Sequence, residues 1–411
     1  NLRTMIDFPG IENLTRKTPS KILMVVIDGL GGYFDPDNKL SELDEANIPN
    51  LDKLSKESAC GLSIPVAHGI TPGSGPGHLS LFGYDPIKYQ AGRGVLEALG
   101  LGISLTPNEI AIRGNFSQID ETGIIVNRRS NRIPSKLSSI LVEKLSKISI
   151  PNFETDVKLI KDHRFLLVMS GSISTSIYHL IVSDTDPGLD GELPLICKPA
   201  FPKATPIAEA VNSFVKQSKD VLKNHKEANM VLLRGASKLP EFPSMNEKYK
   251  LDPIGISAYP MYLGLAKLAG MEIVGENTDF AAEIRSLKSA VKANQNDFFF
   301  LHYKPADAAG EDGDREAKIQ ALEEFDKFIP EITDIGADVL VITGDHSTPA
   351  ILAAHSWHSV PFLINTSFTK GDGQGSFSEK EFRSGSIGLI KAKSSMMLAL
   401  AHAGKLKKFG S

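Results

Sequence analysis

The 411 residues carry a net charge of −4, with 41% hydrophobic and 23% charged side chains, the balance of a globular protein with roughly two to three domains. A slightly acidic chain excludes nucleic acid or anionic membrane recognised through bulk charge, so any positive site is a local pocket. Two cysteines, Cys60 and Cys197, are too few for a disulfide framework. Asn1 to Gly10 shows no basic-then-apolar signal and no apolar run is long enough to span a bilayer, so the expected location is the cytoplasm.

Lys21–Ile27 is a continuous apolar run ending at Asp28-Gly29, which predicts a strand buried on both faces and therefore a parallel sheet. Helical spacing follows over Ile48–Ala59. Next comes Thr71-Pro-Gly-Ser-Gly-Pro-Gly-His78, which places one hydroxyl, Ser74, in a Gly/Pro turn leading into the apolar Leu79–Phe82. A serine there can be exposed, close to backbone N–H groups and at a helix start, conditions under which a hydroxyl can receive a phosphoryl group. An ordinary Gly/Pro loop is the alternative.

From about Ile103 the pattern changes to short alternating segments: 109–113, 123–126, 164–168 and 176–182. A Pro-rich stretch and a helical pattern over Ile207–His225 follow, predicting an inserted α+β domain. The expected boundaries are 1–103 with 244–411 for the main domain and 104–243 for the insertion. Beyond it, helical patterns over Ala281–Ala293 and Glu316–Ile335 alternate with two further buried runs. Phe298–Leu301 leads to Lys304 and Asp307, and Asp338–Thr343 leads to Gly344-Asp345-His346. This alternation predicts a doubly wound α/β fold, with acids converging at the carboxyl ends of its strands, where such sheets bind ligands.

Hard divalent cations want carboxylates, and imidazole adds selectivity for Mn²⁺, Zn²⁺ or Fe²⁺ over Mg²⁺. The candidates form two sets: Asp28, Ser74, Asp345 and His346, and Asp307, Glu311 and His355. Asp307 and Glu311 are four apart, so one helical turn puts both on one side. Their alternative is the acidic start of the helix near Glu316, which favours such charges without any ion. His78 is expected beside the ligands rather than among them, and His179, His302 and His358 as satisfied structural histidines.

These motifs together resemble the archaeal-type, cofactor-independent phosphoglycerate mutases of the alkaline phosphatase superfamily. The resemblance rests on Ile27-Asp-Gly-Leu-Gly31, Pro72-Gly-Ser74 with His78-Leu79, Gly83-Tyr-Asp-Pro86, Gly92-Arg-Gly94, Asn115-Phe116, Arg128-Arg129, Ser183-Asp-Thr-Asp-Pro187, Leu233-Arg-Gly-Ala236, Gly313-Asp314, Thr343–Pro349 and His355-Ser356. It implies an alkaline-phosphatase-like, mostly parallel sheet with an inserted lid, and Ser74 as the phosphorylated nucleophile. It also implies two divalent ions, manganese first, with zinc or magnesium as alternatives, and no 2,3-bisphosphoglycerate. The ligand sets carry over as Asp28, Ser74, Asp345 and His346 for one ion, and Asp307 and His355 for the other. Glu311 stands where many relatives have histidine. Asp252 stands where relatives often have lysine, with Lys248 or Lys250 as substitutes for the phosphate.

The implied reaction interconverts 3-phosphoglycerate and 2-phosphoglycerate through phosphoserine. Both the acid and its phosphate are anionic, so guanidiniums are required, and bidentate geometry favours arginine. The candidates are Arg93, Arg128, Arg129, Arg132, Arg164 and Arg234, with Arg128 and Arg234 first, and Lys304 beside them. Asp184 or Asp186 is the candidate base toward the glycerate hydroxyl, although Thr-Asp-Pro is also an ordinary turn. A closing lid would shield phosphoserine from water. The partner is thus a small phosphorylated acid, with a homo-oligomer open. The rival reading is a metal-dependent phosphatase, phosphodiesterase or phosphonate hydrolase that admits water.

Overall fold

Ile22–Ile27 forms the strand its apolar run predicts, and every residue in it is buried. In the computed structural model, which describes residues 10–171, 181–241 and 243–410, that strand sits inside an eight-stranded sheet. The order is Gly388–Lys391, Ala59–Ile64, Val360–Asn365, Val339–Thr343, Ile22–Ile27, Phe298–Tyr303, Pro253–Ile256 and Glu272–Ile273. Val360–Asn365 pairs antiparallel with both neighbours, and all other pairings are parallel. The three central strands are buried along their whole length, as a sheet covered on both faces requires. On one face Leu23, Val25 and Ile27 meet Leu51, Leu287, Leu322 and Phe325 from the helices Pro49–Ser55, Phe280–Ala293 and Arg315–Asp326. This is the mostly parallel, doubly wound α/β architecture that the alternation predicts.

Two helical expectations change in detail. The Ile48–Ala59 pattern yields a helix only over Pro49–Ser55, because Ala59 already opens a fully buried strand. The Glu316–Ile335 pattern breaks at Asp326 and restarts as Ile329–Thr333, since Pro330 cannot sit inside a continuous helix but suits a first turn.

The chain divides into two compact units, one formed by the chain up to Tyr89 and after Glu241, the other by Gln90–Glu241. The second unit is an antiparallel sheet ordered Ile125–Asn127, Glu109–Ile119, Arg164–Gly171, Phe153–Lys161, with Met230–Ser237 also paired to Glu109–Ile119. The helices Ser135–Leu145 and Thr205–Leu222 cover one face. The helix Arg93–Gly100 packs Val95 and Ala98 on the other, against Ala111, Leu166 and Val168. That packing draws the unit's start to Gln90, ahead of the expected 104. Residues 176–180 of the strand expected at 176–182, and His179 with them, lie outside the described residues. Among the described residues no helix is long and apolar enough to cross a membrane.

Candidate active site

Ser74 is the first residue of the helix Ser74–Leu81, with Gly73 in extended conformation at the cap. The Gly/Pro composition of the loop has a steric reason. A Cβ on Gly77 would lie 2.3 Å from the carbonyl oxygen of Asp345, so only glycine lets this helix approach that loop. The approach brings Ser74 Oγ to 3.1 Å from His346 Nε2. His78, one turn on and fully buried, donates Nδ1–H to Ser74 O at 2.9 Å, and the same nitrogen lies 3.1 Å from Asp345 Oδ2. Burial opposes the charged ring, but Asp345 raises the His78 pKa above its ordinary value.

The register of the parallel strands places the acids together. Ile27 is level with Tyr303 and Val26 with Thr343, so Asp28, Lys304 and Gly344-Asp345-His346 leave the sheet at one edge. Asp28, Asp345 and His346 are each fully buried and form one tight cluster. Asp28 Oδ1 lies 3.3 Å and Asp345 Oδ2 3.2 Å from His346 Nε2. The tautomer of His346 follows from its other nitrogen. Thr348 Oγ–H donates to Asp307 Oδ1 at 2.7 Å, so its oxygen can only accept from His346 Nδ1–H, 3.0 Å away. In neutral His346, Nε2 is then a bare lone pair aimed at two carboxylate oxygens and the Ser74 hydroxyl. Burial would push the Asp28 carboxyl up, but Lys304 and His302 hold it well below the usual carboxylate range.

A second cluster combines Asp307, His346 and His355. His355 donates Nδ1–H to Pro72 O at 2.9 Å, which turns Nε2 toward Asp307 Oδ1 at 3.4 Å and Glu311 Oε1 at 3.5 Å. Burial opposes its charge, yet Glu311, the Pro72 carbonyl and Asp307 raise the His355 pKa to about 9. Asp307 and Glu311 share the helix Pro305–Glu311, Asp307 buried and Glu311 largely exposed. Glu311 therefore reaches His355 from the rim.

Between the clusters lies the Lys304 ammonium, which bonds Asp307 Oδ2, Asp28 Oδ2 at 3.1 Å and the Tyr262 hydroxyl at 2.9 Å. His302 donates Nε2–H to Asp28 Oδ2 at 3.0 Å, stacks on Tyr262 at 3.6 Å, and has its pKa pushed down to about 4 by burial. It is a neutral brace for Asp28. His358 lies beside Ser356 Oγ at 2.9 Å and stacks on Trp357.

The remaining lysines and Asp252 are engaged elsewhere. Asp252 pairs with Lys17 at 2.8 Å on the surface. Lys248 donates to Gly83 O and Lys250 to Thr15 O, each at 2.8 Å, so both stitch backbone segments together and neither replaces a phosphate-binding lysine.

In the second unit the arginines fall into two groups. Arg128, Arg129 and Arg132, with Asn127, Asn131 and Asp190, line an open cavity of ≈ 450 Å³. Its rim is backbone-strained: Ser130, Asn131 and Arg132 have φ of 45°, 49° and 55°, a left-handed run that costs about 1–3 kcal/mol per non-glycine residue. Arg128 clamps Asp186 with two bonds of 2.8 and 2.9 Å, which, despite burial, lowers the Asp186 pKa. Asp186 is thus a clamp and a poor proton acceptor, leaving Asp184, which is 41% exposed and 3.6 Å from Arg234. The second group lies on the sheet face that carries the helix Arg93–Gly100. There Arg113 opposes Arg234 and Asn115 opposes Arg164 across the strands. Arg113 Nε, Arg164 Nε and Asn115 Oδ1 are buried without hydrogen-bond partners.

Sequence reasoning passed over Thr348, Tyr262, Arg113 and Lys318. Arg113 had a legible signal, a charge at an inward position of an alternating segment. Thr348 and Tyr262 had none, because their parts depend on partners far away in the chain.

The fold and its corner of serine, buried carboxylates and imidazoles define an alkaline-phosphatase-like α/β enzyme with two Asp/His clusters able to hold metal. Residues 55–228 match the family described as 2,3-bisphosphoglycerate-independent phosphoglycerate mutase. A protein of Thermus thermophilus named "probable 2,3-bisphosphoglycerate-independent phosphoglycerate mutase" is 45% identical over 98% of this chain and 99% of its own length. A protein of the same name from Aquifex aeolicus is 44% identical over the same shares. Among solved structures, a Pyrococcus horikoshii protein superposes with TM-score 0.80 at 28% identity, covering 95% of this chain and 99% of its own. The cofactor-independent phosphoglycerate mutase of Thermoplasma acidophilum does so with TM-score 0.65 at 29% identity, covering 94% and 100%. The chain belongs to the 2,3-bisphosphoglycerate-independent phosphoglycerate mutase family.

Proposed function

We propose that this enzyme interconverts 3-phosphoglycerate and 2-phosphoglycerate, with Ser74 carrying the phosphoryl group between the two positions. The observation that carries this reading is the placement of Ser74 Oγ 3.1 Å from His346 Nε2, in a corner where one oxygen on each of two buried carboxylates lacks a hydrogen-bond donor. Asp28 Oδ1 and Asp345 Oδ2 are buried with no such donor, and both face a nitrogen lone pair. Two carboxylates and a lone pair aimed at one point repel unless a cation lies between them, so these residues fit a divalent ion. Asp28, Ser74, Asp345 and His346 would hold one ion; Asp307 and His355, with Glu311 at the rim, would hold the other. Mixed oxygen and imidazole donors favour Mn²⁺, with Zn²⁺ and Mg²⁺ as weaker fits. Bound there, the ions would lower the serine pKa and neutralise charge developing on the phosphoryl oxygens.

Ser74 Oγ attacks the phosphorus of 3-phosphoglycerate, the bond to the C3 oxygen breaks, and glycerate is retained. Its C2 hydroxyl then attacks the same phosphorus and the Ser74 Oγ–P bond breaks, so no phosphate is released. Lys304, held by Asp28, Asp307 and Tyr262, would offer its positive charge to phosphoryl oxygens. Arg93, Arg128, Arg129 and Arg234 bind the acid's carboxylate and phosphate. Asp184 takes and returns the proton of the glycerate hydroxyl.

A coupled assay that counts 2-phosphoglycerate and free phosphate together tests the proposal. The expected result is 2-phosphoglycerate with no stoichiometric phosphate. Free phosphate without 2-phosphoglycerate would instead establish the hydrolase.

A further inference from the structure

The helix Arg315–Asp326 buries a stripe at helical spacing: Lys318, Ala321, Leu322, Phe325 and Asp326. A lysine heads this face, and it is 0% exposed. An ammonium taken out of water needs all three of its N–H groups satisfied. Lys318 Nζ donates to three backbone carbonyls: Gly29 at 3.0 Å, Gly31 at 2.9 Å and Thr348 at 2.8 Å. Burial lowers its pKa, while Glu42, Glu379 and Asp307 support the charge against Arg315.

The owners of those carbonyls matter more than the bonds. Gly29 follows Asp28 in the chain, and its N–H donates to Asp345 Oδ1 at 3.2 Å. Thr348 hydrogen-bonds both His346 Nδ1 and Asp307 Oδ1 through its hydroxyl. One ammonium thus stands a single residue away from Asp28, Asp345, His346 and Asp307, which come from three different strand ends. The loops it joins are in close contact. A Cβ on Gly29, at φ +64°, would meet Thr348 Oγ1 at 2.7 Å and Asp307 Cα at 2.8 Å.

We propose that Lys318 is the positioning residue of the metal corner, a built-in cation that holds the 28–31 and 346–348 loops in ligating register before any divalent ion arrives. This rests on the two-metal reading above, and the test separates the two.

Mn²⁺ uptake by chelator-stripped protein, followed through the electron paramagnetic resonance of the free ion, gives affinity without reference to turnover. Wild type, Lys318→Met and Lys318→Gln are compared at a temperature where circular dichroism finds each folded. Loss of a group that orients ligands weakens metal binding by ~10–100-fold. That loss is expected for Met, with Gln between Met and wild type because its amide keeps two donors. The KM for 3-phosphoglycerate at saturating Mn²⁺ should stay near wild type. A purely structural lysine would lower the melting temperature and leave the Mn²⁺ affinity of the folded variants unchanged, and that result overturns the proposal. Wild type that takes up no Mn²⁺ overturns the two-metal reading itself. Should neither variant fold, hydrogen exchange on stripped wild type decides. Slow exchange of the amides of 29–31 and 346–348 is expected, and rapid exchange until Mn²⁺ is added contradicts the proposal.

Discussion

The metal corner and the arginine-bearing unit solve opposite electrostatic problems. In the corner, the buried carboxylates Asp28, Asp307 and Asp345 are braced by His302, Lys304, Thr348 and the Gly29 amide, and the braces come from strand ends of one sheet. In the inserted unit, Arg128, Arg129 and Arg132 line an open cavity. One region is built to keep negative charge fixed in the absence of ligand; the other keeps positive charge available for a ligand. On the function proposed above, chemistry that needs sub-ångström placement would sit on strand ends, and recognition that tolerates adjustment on the inserted unit.

That contrast breaks first at the serine. Ser74→Ala should lower kcat on the order of 10⁴-fold or more while circular dichroism and Mn²⁺ binding to the Asp307 cluster persist. Comparable turnover in the variant would remove the covalent route. Stripping divalent ions should abolish turnover, with Mn²⁺ restoring it best among Mn²⁺, Zn²⁺ and Mg²⁺, as read by the coupled assay. Arg234→Ala should raise KM by ~10–100-fold, the loss of one charge-assisted contact, with Mn²⁺ affinity unmoved. Metal loss in that variant would erase the division of labour between the two regions.

The pH dependence of metal uptake sharpens the comparison further. In the metal-free protein His355 has a pKa of about 9, above its ordinary 6.5. A bound proton blocks Nε2, so apparent affinity at the Asp307 cluster should rise up to ~tenfold per pH unit below about 9 and level off above it. In stripped protein the sign for stability is opposite. The folded state holds this proton more tightly than the unfolded chain, so the contribution is complete below pH 6.5 and is lost as pH rises through about 9. The smallest effect expected is that of Glu311→Gln, ~3–10-fold weaker Mn²⁺ binding, because Glu311 meets His355 from an exposed position. Glu311 is also the leading influence raising His355, so the same variant should shift the pH midpoint of uptake downward.

The fold's centre was legible because the three buried runs end on acids, and a parallel sheet must bring those ends to one edge. The strands Ala59–Ile64 and Val360–Asn365 were not, since a short apolar run beside a helix does not declare its own period. At the site, Asp28, Asp307, Asp345, His346 and His355 could be named from type and spacing, and the structure clusters them. Thr348, Tyr262 and Lys318 could not be assigned their parts. Each acts through hydrogen bonds to segments remote in the chain, and only the folded register reveals such partners. Asp186 shows the reverse error: its position in a Thr-Asp-Pro turn allows a base, but the Arg128 clamp occupies both its oxygens.

The most direct test is to mix enzyme with 3-phosphoglycerate, quench in acid within a turnover, and map phosphate by peptide mass spectrometry. The account predicts phosphoserine at Ser74, formed and discharged fast enough to carry the mutase flux. A turning-over enzyme with phosphate on another residue, or on none, would contradict it.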